Sequence, residues 1–381
     1  MAENKRQHYV PQMLLDKFSR DGKRTDVVIL DAGKRIRDVG VRDQCYRDYY
    51  YGKDRVMEKA FSETEGKFAA TLGDRSAAHL QSISDVEIIH LRLYVLFQRM
   101  RTVMAATGIE QMSEAALKER LRPKAEAEGI DLSSVRIRLN NSQLLALASA
   151  TAGAGAIADL PVKFLLHERK VGFVISDHPV AICNQFVEYH PRLSHCYGAE
   201  GLIVKGIQVI MPVSPRVCIV MYDPQTYACG SPRSRVVVAG CHDVHVINSL
   251  QAASANKCLY YHPDHMTDEE LDRIIAFRKK NKPSVDPGLH HGPMYEHKDG
   301  SIRQKFVVAA KGLRVGLKFG FMQTIETRSY ADYDSPMVPP REGDIVDFQA
   351  GWVEQINAKT GLQLRAQPVT SVEHLPSAKK R

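Results

Sequence analysis

The feature that most limits the fold of this chain is the order of its helical and strand-like segments. A hairpin signal comes first, helical patterns fill residues 55–158, strand-like runs begin at Pro161, and helical patterns return after residue 243. Segregated runs of this kind specify an α+β architecture, because a doubly wound sheet needs strands and helices in alternation. The expectation is a helical region packed on a mostly antiparallel β-sheet, with a smaller β-containing C-terminal extension. The expected division is one domain over residues 1–282, a linker rich in Pro, Gly and His over 283–301, the extension over 302–376 and a basic tail over 377–381.

Local signals place the elements. Residues 26–31 and 34–38 read as a hairpin turned at Gly33. Residues 55–72 read as a helix, with Glu58 and Glu65 two turns apart on one face. Ser84 and Glu87 form a capping box that opens a helix running to about Ala106 and ending at Gly108. Ser113 starts the next helix, 114–128, which Pro123 should kink or break, and Ser142 starts another to about Ala158. Residues 162–166 and 171–175 suggest a hairpin around 168–170. Strands are expected at 207–211, 217–221, 236–238 and 258–261, and helices at 243–256 and from Thr267 to Asn281. The extension should hold strands at 306–310, 313–319 and 343–348.

Composition narrows the class of protein. Of 381 residues, 44% are hydrophobic and 25% charged, enough for a sizeable core without disulfides. The net charge of +8 is dispersed: residues 1–60 carry fourteen basic and ten acidic side chains, and residues 291–381 carry thirteen and ten. That excess permits a polyanionic partner without the tight basic stripe of a dedicated nucleic-acid domain. The seven cysteines are odd in number and include no CxxC pair, and no apolar leader follows the charged start, so reduced thiols in the cytoplasm are expected. The longest uncharged stretch, residues 139–158, is too rich in small and polar residues for a membrane span.

Candidate chemistry gathers around Val171-Gly-Phe-Val-Ile-Ser-Asp-His-Pro-Val180, an apolar strand that runs straight into Ser176, Asp177, His178 and Pro179. Pro179 stops the ladder, and polar groups at the end of a rigid strand are well held. Their plainer role is to satisfy the turn's own backbone. At the N-terminus, His8 and Gln12 flank a short helix entered at Pro11. Arg99 and Arg101 lie on or beside an apolar helix and need carboxylate partners if buried, with Glu58 and Glu65 as candidates. The tyrosines of residues 46–51 alternate with basic residues, and packing on the core is preferred over base stacking. His190, His195, Cys196, Cys241, His242 and His245 resemble a metal set in type, but their spacings match no standard zinc motif.

His8-Tyr-Val-Pro-Gln12 with Phe18, the acidic helix at Glu58 and Glu65, Gln98-Arg-Met-Arg-Thr102, Ser176-Asp-His-Pro-Val180 and Asn248 occur in that order. Together they resemble the largely bacterial domain-of-unknown-function family 4238, over roughly residues 7–261. That family usually reads Ser-Asp-Asn-Pro at the strand end, so His178 departs from the pattern while Asp177 keeps it. The resemblance implies no activity.

Two functions are carried from the residues. The first is a metal-assisted phosphodiesterase or nuclease acting on nucleic acid. In it Glu58, Glu65 and Asp177 hold Mg or Mn, His8 is base or ligand, Arg99 and Arg101 face phosphate, and Gln12, Ser176, His178 and Asn248 support them. The second is a non-catalytic binding or regulatory protein in which the same residues form a structural ion-pair network. Convergence of the three carboxylates in a solvent-reachable hollow separates the two.

Overall fold

The structure is a computed structural model, and it describes residues 5–53, 56–282, 287–296, 302–310 and 312–341. The chain opens with β1 (Arg6–His8), the single turn α1 (Gln12–Leu15), the hairpin β2 (Arg24–Ile29) and β3 (Lys34–Gly40), and β4 (Tyr46–Asp48). Helices α2 (Val56–Leu72), α3 (Ala77–Ser82), α4 (Asp85–Met100), α5 (Val103–Ala127) and α6 (Ser142–Gly153) follow without an intervening strand. The strand-rich half holds β5 (Val162–Leu166), β6 (Ile175–Ser176), β7 (Ala181–Cys183), the short helix α7 (Gln185–Tyr189), β8 (Gln208–Ser214), β9 (Val217–Tyr222), β10 (Tyr227–Cys229) and β11 (Val236–Val238). It closes with α8 (Cys241–Ser254), β12 (Cys258–Tyr261), α9 (Asp268–Lys280), the hairpin strands β13 (Gly288–Glu296) and β14 (Ile302–Ala309), and β15 (Met322–Thr324).

This is the α+β architecture. One sheet runs β11-β5-β9-β8-β7 and another β3-β2-β12-β6. Within them β5–β11 is parallel and the other pairings are antiparallel. Every residue of β8 and β9 is buried, as expected of strands covered on both faces. Helix α8 packs against β6, β7, β12 and α9, so it fills the space between the sheets, and eleven of its residues are buried. The helical layer packs chiefly through α4, whose apolar side carries Ile88, Leu91, Val95 and Leu96.

Several local signals act as read. Gly33 adopts φ 61° at the β2–β3 turn, a conformation glycine reaches without strain. Ser84 and Glu87 close a reciprocal capping box on α4. Others are overruled. Helix α4 stops at Met100, not near Ala106, because Thr102 caps a new helix with its Oγ1 accepting the Ala105 N–H at 3.3 Å. That helix, α5, then continues through both Gly108 and Pro123 to Ala127, in place of a start at Ser113 and a break at Pro123. The expected hairpin of 162–166 with 171–175 does not form, for β5 pairs with β9 and β11, whereas β6 pairs with β12 in the other sheet. Gly172 explains part of this: a Cβ there would lie 2.5 Å from the Pro215 carbonyl oxygen, so only glycine lets the segment slide beneath the β8–β9 turn.

The C-terminal part differs from the expectation too. Strand β13 occupies residues read as linker, residues 313–319 form no strand, and the strand expected at 343–348 lies outside the described residues. Residues 312–341 run back over earlier parts of the chain. β15 pairs with β10, and Lys205 forms a buried ion pair with Glu326. Arg341, only 3% exposed, grips Asp159 with Nε at 2.7 Å and Nη2 at 2.9 Å and donates to the carbonyls of Ala156, Leu202 and Val204. Arg341→Gln leaves Asp159 and three carbonyls short of donors. We expect a loss of about 2–4 kcal/mol in urea denaturation at unchanged m-value.

Candidate functional site

The motif residues meet where the helical layer joins the sheets. The segment from Gly172 to Val180 enters without a continuous β partner, so its backbone groups need other acceptors and donors. Helix α8 supplies two of them on one face, three residues apart. Asn248 accepts the Val174 N–H at 2.9 Å and donates to the Gly172 carbonyl at 3.0 Å. Gln251 accepts the Ser176 N–H at 3.1 Å and donates to the Pro179 carbonyl at 2.9 Å. Each amide thus offers one acceptor and one donor, as a neighbouring strand would. The Ser176 hydroxyl accepts the His178 N–H at 3.2 Å. These roles match the plain reading of Ser176 and of Asn248.

Asp177 is 3% exposed. Its Oδ1 accepts the Asn256 N–H and its Oδ2 the Lys257 N–H, both at 2.9 Å. Burial pushes its carboxyl up to about 6, against the pull of those N–H groups and of Arg278. His178, also buried, shares a 2.6 Å hydrogen bond between its Nδ1 and the Thr102 hydroxyl. Burial and the nearby Arg99 drive its pKa well down, so it is neutral and fixes the start of α5.

The arginines are neutralised in place. Arg99 donates to the Val180 carbonyl at 2.7 Å and pairs with Glu200 at 3.0 Å. Arg101, 5% exposed, pairs with Glu65 at 2.6 Å, donates to the His8 carbonyl at 2.6 Å and lies over the Phe61 ring. The Tyr51 hydroxyl in turn donates to the Arg101 carbonyl at 2.5 Å. His8 is half-buried with its Nε2 3.2 Å from the Arg42 carbonyl and 3.4 Å from the Gln12 amide, and burial lowers its pKa. Glu58 is half-buried one turn from the helix start and makes no hydrogen bond or ion pair among the described residues.

The expected triad of Glu58, Glu65 and Asp177 is therefore not assembled. Asp177 has both oxygens committed to backbone N–H groups, and Glu65 is committed to Arg101. Among the described residues no group of three His, Cys, Asp or Glu side chains is placed to hold an ion. Glu58, Glu65 and Asp177 form no such group. The second set is scattered as well: His242 Nε2 meets the Lys318 carbonyl at 2.9 Å, and His245 Nδ1 meets Glu270 at 3.1 Å. His190 Nδ1 accepts N–H groups of its own loop, from Arg192 and Leu193.

Sequence reasoning named His8, Gln12, Glu65, Arg99, Arg101, Ser176, His178 and Asn248, and Thr102 and Tyr51 within quoted stretches, but missed Glu200 and Gln251. Gln251 was readable as the residue one turn after Asn248 on the same helix. Glu200 sits in a loop and carries no local signal. The reading also missed an open cleft near Arg216, His262 and His265.

Fold and seam together define an α+β protein whose polar motif residues are held by main-chain groups and by buried pairs such as Arg101 with Glu65 and His178 with Thr102. The family described as Protein of unknown function (DUF4238) matches residues 6–265, more than half of the chain, and the chain belongs to that family. No curated protein and no solved structure matches it.

The raised pKa of Asp177 has a signed consequence. Between about pH 4 and 6 the folded protein keeps the proton that the unfolded chain has lost, so stability is greatest at the acid end of this window and falls as pH rises through 6. The effect is on the order of 3 kcal/mol. Asp177→Asn should remove that component of the pH profile. It should also cost about 1–3 kcal/mol at neutral pH, because the carboxamide accepts one backbone N–H and leaves the other unpaired. Urea unfolding of both proteins from pH 4 to pH 8 checks this.

Proposed function

We propose that the family motifs form a structural clasp and that the protein acts as a non-catalytic binding or regulatory protein. The observation that carries this reading is the commitment of both Asp177 oxygens to the N–H groups of Asn256 and Lys257 at 3% exposure. A metal ligand or general base must face solvent or substrate, whereas both Asp177 oxygens are buried and already accept main-chain N–H groups. Arg99 and Arg101 likewise spend their donors on carbonyls and on Glu200 and Glu65. A hydrolase reading would need these pairs to open.

The setting favoured is the cytoplasm. Cys45, Cys183, Cys196, Cys218 and Cys229 are buried free thiols, which suits a reducing compartment. Among the described residues no helix is long and apolar enough to cross a membrane.

The test pairs activity with stability. The protein is incubated with Mg2+ or Mn2+ and single- or double-stranded DNA, RNA or an activated phosphodiester. No turnover above buffer is expected. Glu65→Gln, which leaves the Arg101 charge buried without its partner, should instead lower stability by about 3 kcal/mol. Metal-dependent cleavage that disappears in a folded Glu65→Gln or Asp177→Asn protein would restore the catalytic reading.

A further inference from the structure

An open cleft of about 480 Å³ lies between three separate parts of the chain. One wall is the segment Asp16 to Gly22 that follows α1, the floor is Ser214, Pro215 and Arg216 at the β8–β9 turn, and the other wall is His262 and His265 after β12. Its polar groups are biased toward donation. Arg216 Nη2 lies 3.0 Å from His265 Nδ1, and since a guanidinium only donates, that nitrogen is the acceptor. His262 Nδ1 accepts the Asp264 N–H at 3.2 Å, so it too carries no proton. Both neutral imidazoles therefore hold their proton on Nε2, which has no partner among the described residues. The two rings sit 4.6 Å apart.

Cations complete the lining. Arg216 also donates through Nη1 to the Arg169 carbonyl, and its Nε has no partner among the described residues. Lys17 is exposed and makes no ion pair among the described residues. Arg20 is held through Nε and Nη2 by Asp264, with the closest contact at 2.8 Å, which leaves its Nη1 free. Asp16 is the single carboxylate of the lining. The hydroxyl of Ser214 accepts the N–H groups of Arg216 and Val217 and so keeps its own proton to donate.

We infer that this cleft binds the phosphate group of a small molecule, with Lys17, Arg216 and the Nε2–H groups of His262 and His265 as its donors. A tetrahedral oxyanion takes several donors converging from different sides, and guanidinium and ammonium groups add charge to the neutral imidazoles. The volume suits a ligand of about nucleotide size, within the usual range for such sites. A nucleic-acid strand would need a longer track of cations than these residues supply. The inference goes beyond the clasp, since the side chains it uses make no clasp contact, and it stands whether or not the clasp residues catalyse.

The experiment is isothermal titration of the full chain with inorganic pyrophosphate and with a nucleoside monophosphate at fixed ionic strength. A ten-residue single-stranded oligonucleotide serves as the polymer arm. Saturable one-to-one binding is expected for the small probes, weakened about tenfold in Arg216→Gln and about threefold in Lys17→Ala. Lys17 is exposed, so its variant remains informative if Arg216→Gln fails to fold. Arg47→Ala, remote from the cleft, should bind as the wild type does. No saturable binding of either small probe, or affinities unchanged in Lys17→Ala, would overturn the inference. So would oligonucleotide binding that exceeds the monophosphate's and is lost in Lys17→Ala, which would assign the cleft to a polymer.

Discussion

Two amide side chains on one buried helix hold this structure's central seam. Helix α8 lies between the sheets, and Asn248 and Gln251 give the segment 172–179 the donors and acceptors that a β-strand would otherwise give it. Without them Val174 and Ser176 would carry buried N–H groups with no acceptor, each at a cost of about 1–3 kcal/mol. The remaining groups of the segment are met from other directions: Gly172 N–H by the His265 carbonyl, Phe173 N–H by Pro215, and Asp177 N–H by Cys258. The segment is thus fixed by tertiary contacts along its length, and the residues that follow it inherit their positions from that docking.

The rest of the seam is built outward from the same segment. His178 reaches Thr102 and sets where α4 gives way to α5. Val180 receives Arg99, which also holds Glu200, and Glu200 accepts the Leu313 N–H at 2.6 Å. A chain of charged and polar contacts therefore links α4, the strand end and the C-terminal strap. Buried pairs of this type contribute little net stability over an apolar packing, but losing one partner strands the other charge. On the structural reading proposed above, such a network specifies one arrangement of helices on sheets.

The sequence made the class of fold legible because segregation of helical and strand patterns survives any error at individual boundaries. Capping boxes were legible for the same local reason. What escaped was decided by distant groups. A turn-like run at residues 168–170 suggested a local hairpin, yet Gly172 fits beneath Pro215, a partner more than forty residues away. Gly108 looked like a helix end, but Thr102 had already started a new helix whose packing tolerates glycine and Pro123. The partners of the site residues escaped for a chemical reason. A carboxylate that binds a cation and one that binds two backbone N–H groups are the same residue in a sequence, and the partners of Asp177 are main-chain atoms of Asn256 and Lys257, which leave no mark in residue type.

Native-state hydrogen exchange tests the central claim most directly, because the N–H groups of Val174, Ser176, Asn256 and Lys257 are bonded to side chains alone. The account predicts that all four exchange only through the global opening of the protein, as slowly as the N–H groups of β8 and β9. Exchange of these four at the rates of exposed loops, in a protein whose β8 and β9 remain protected, would contradict it.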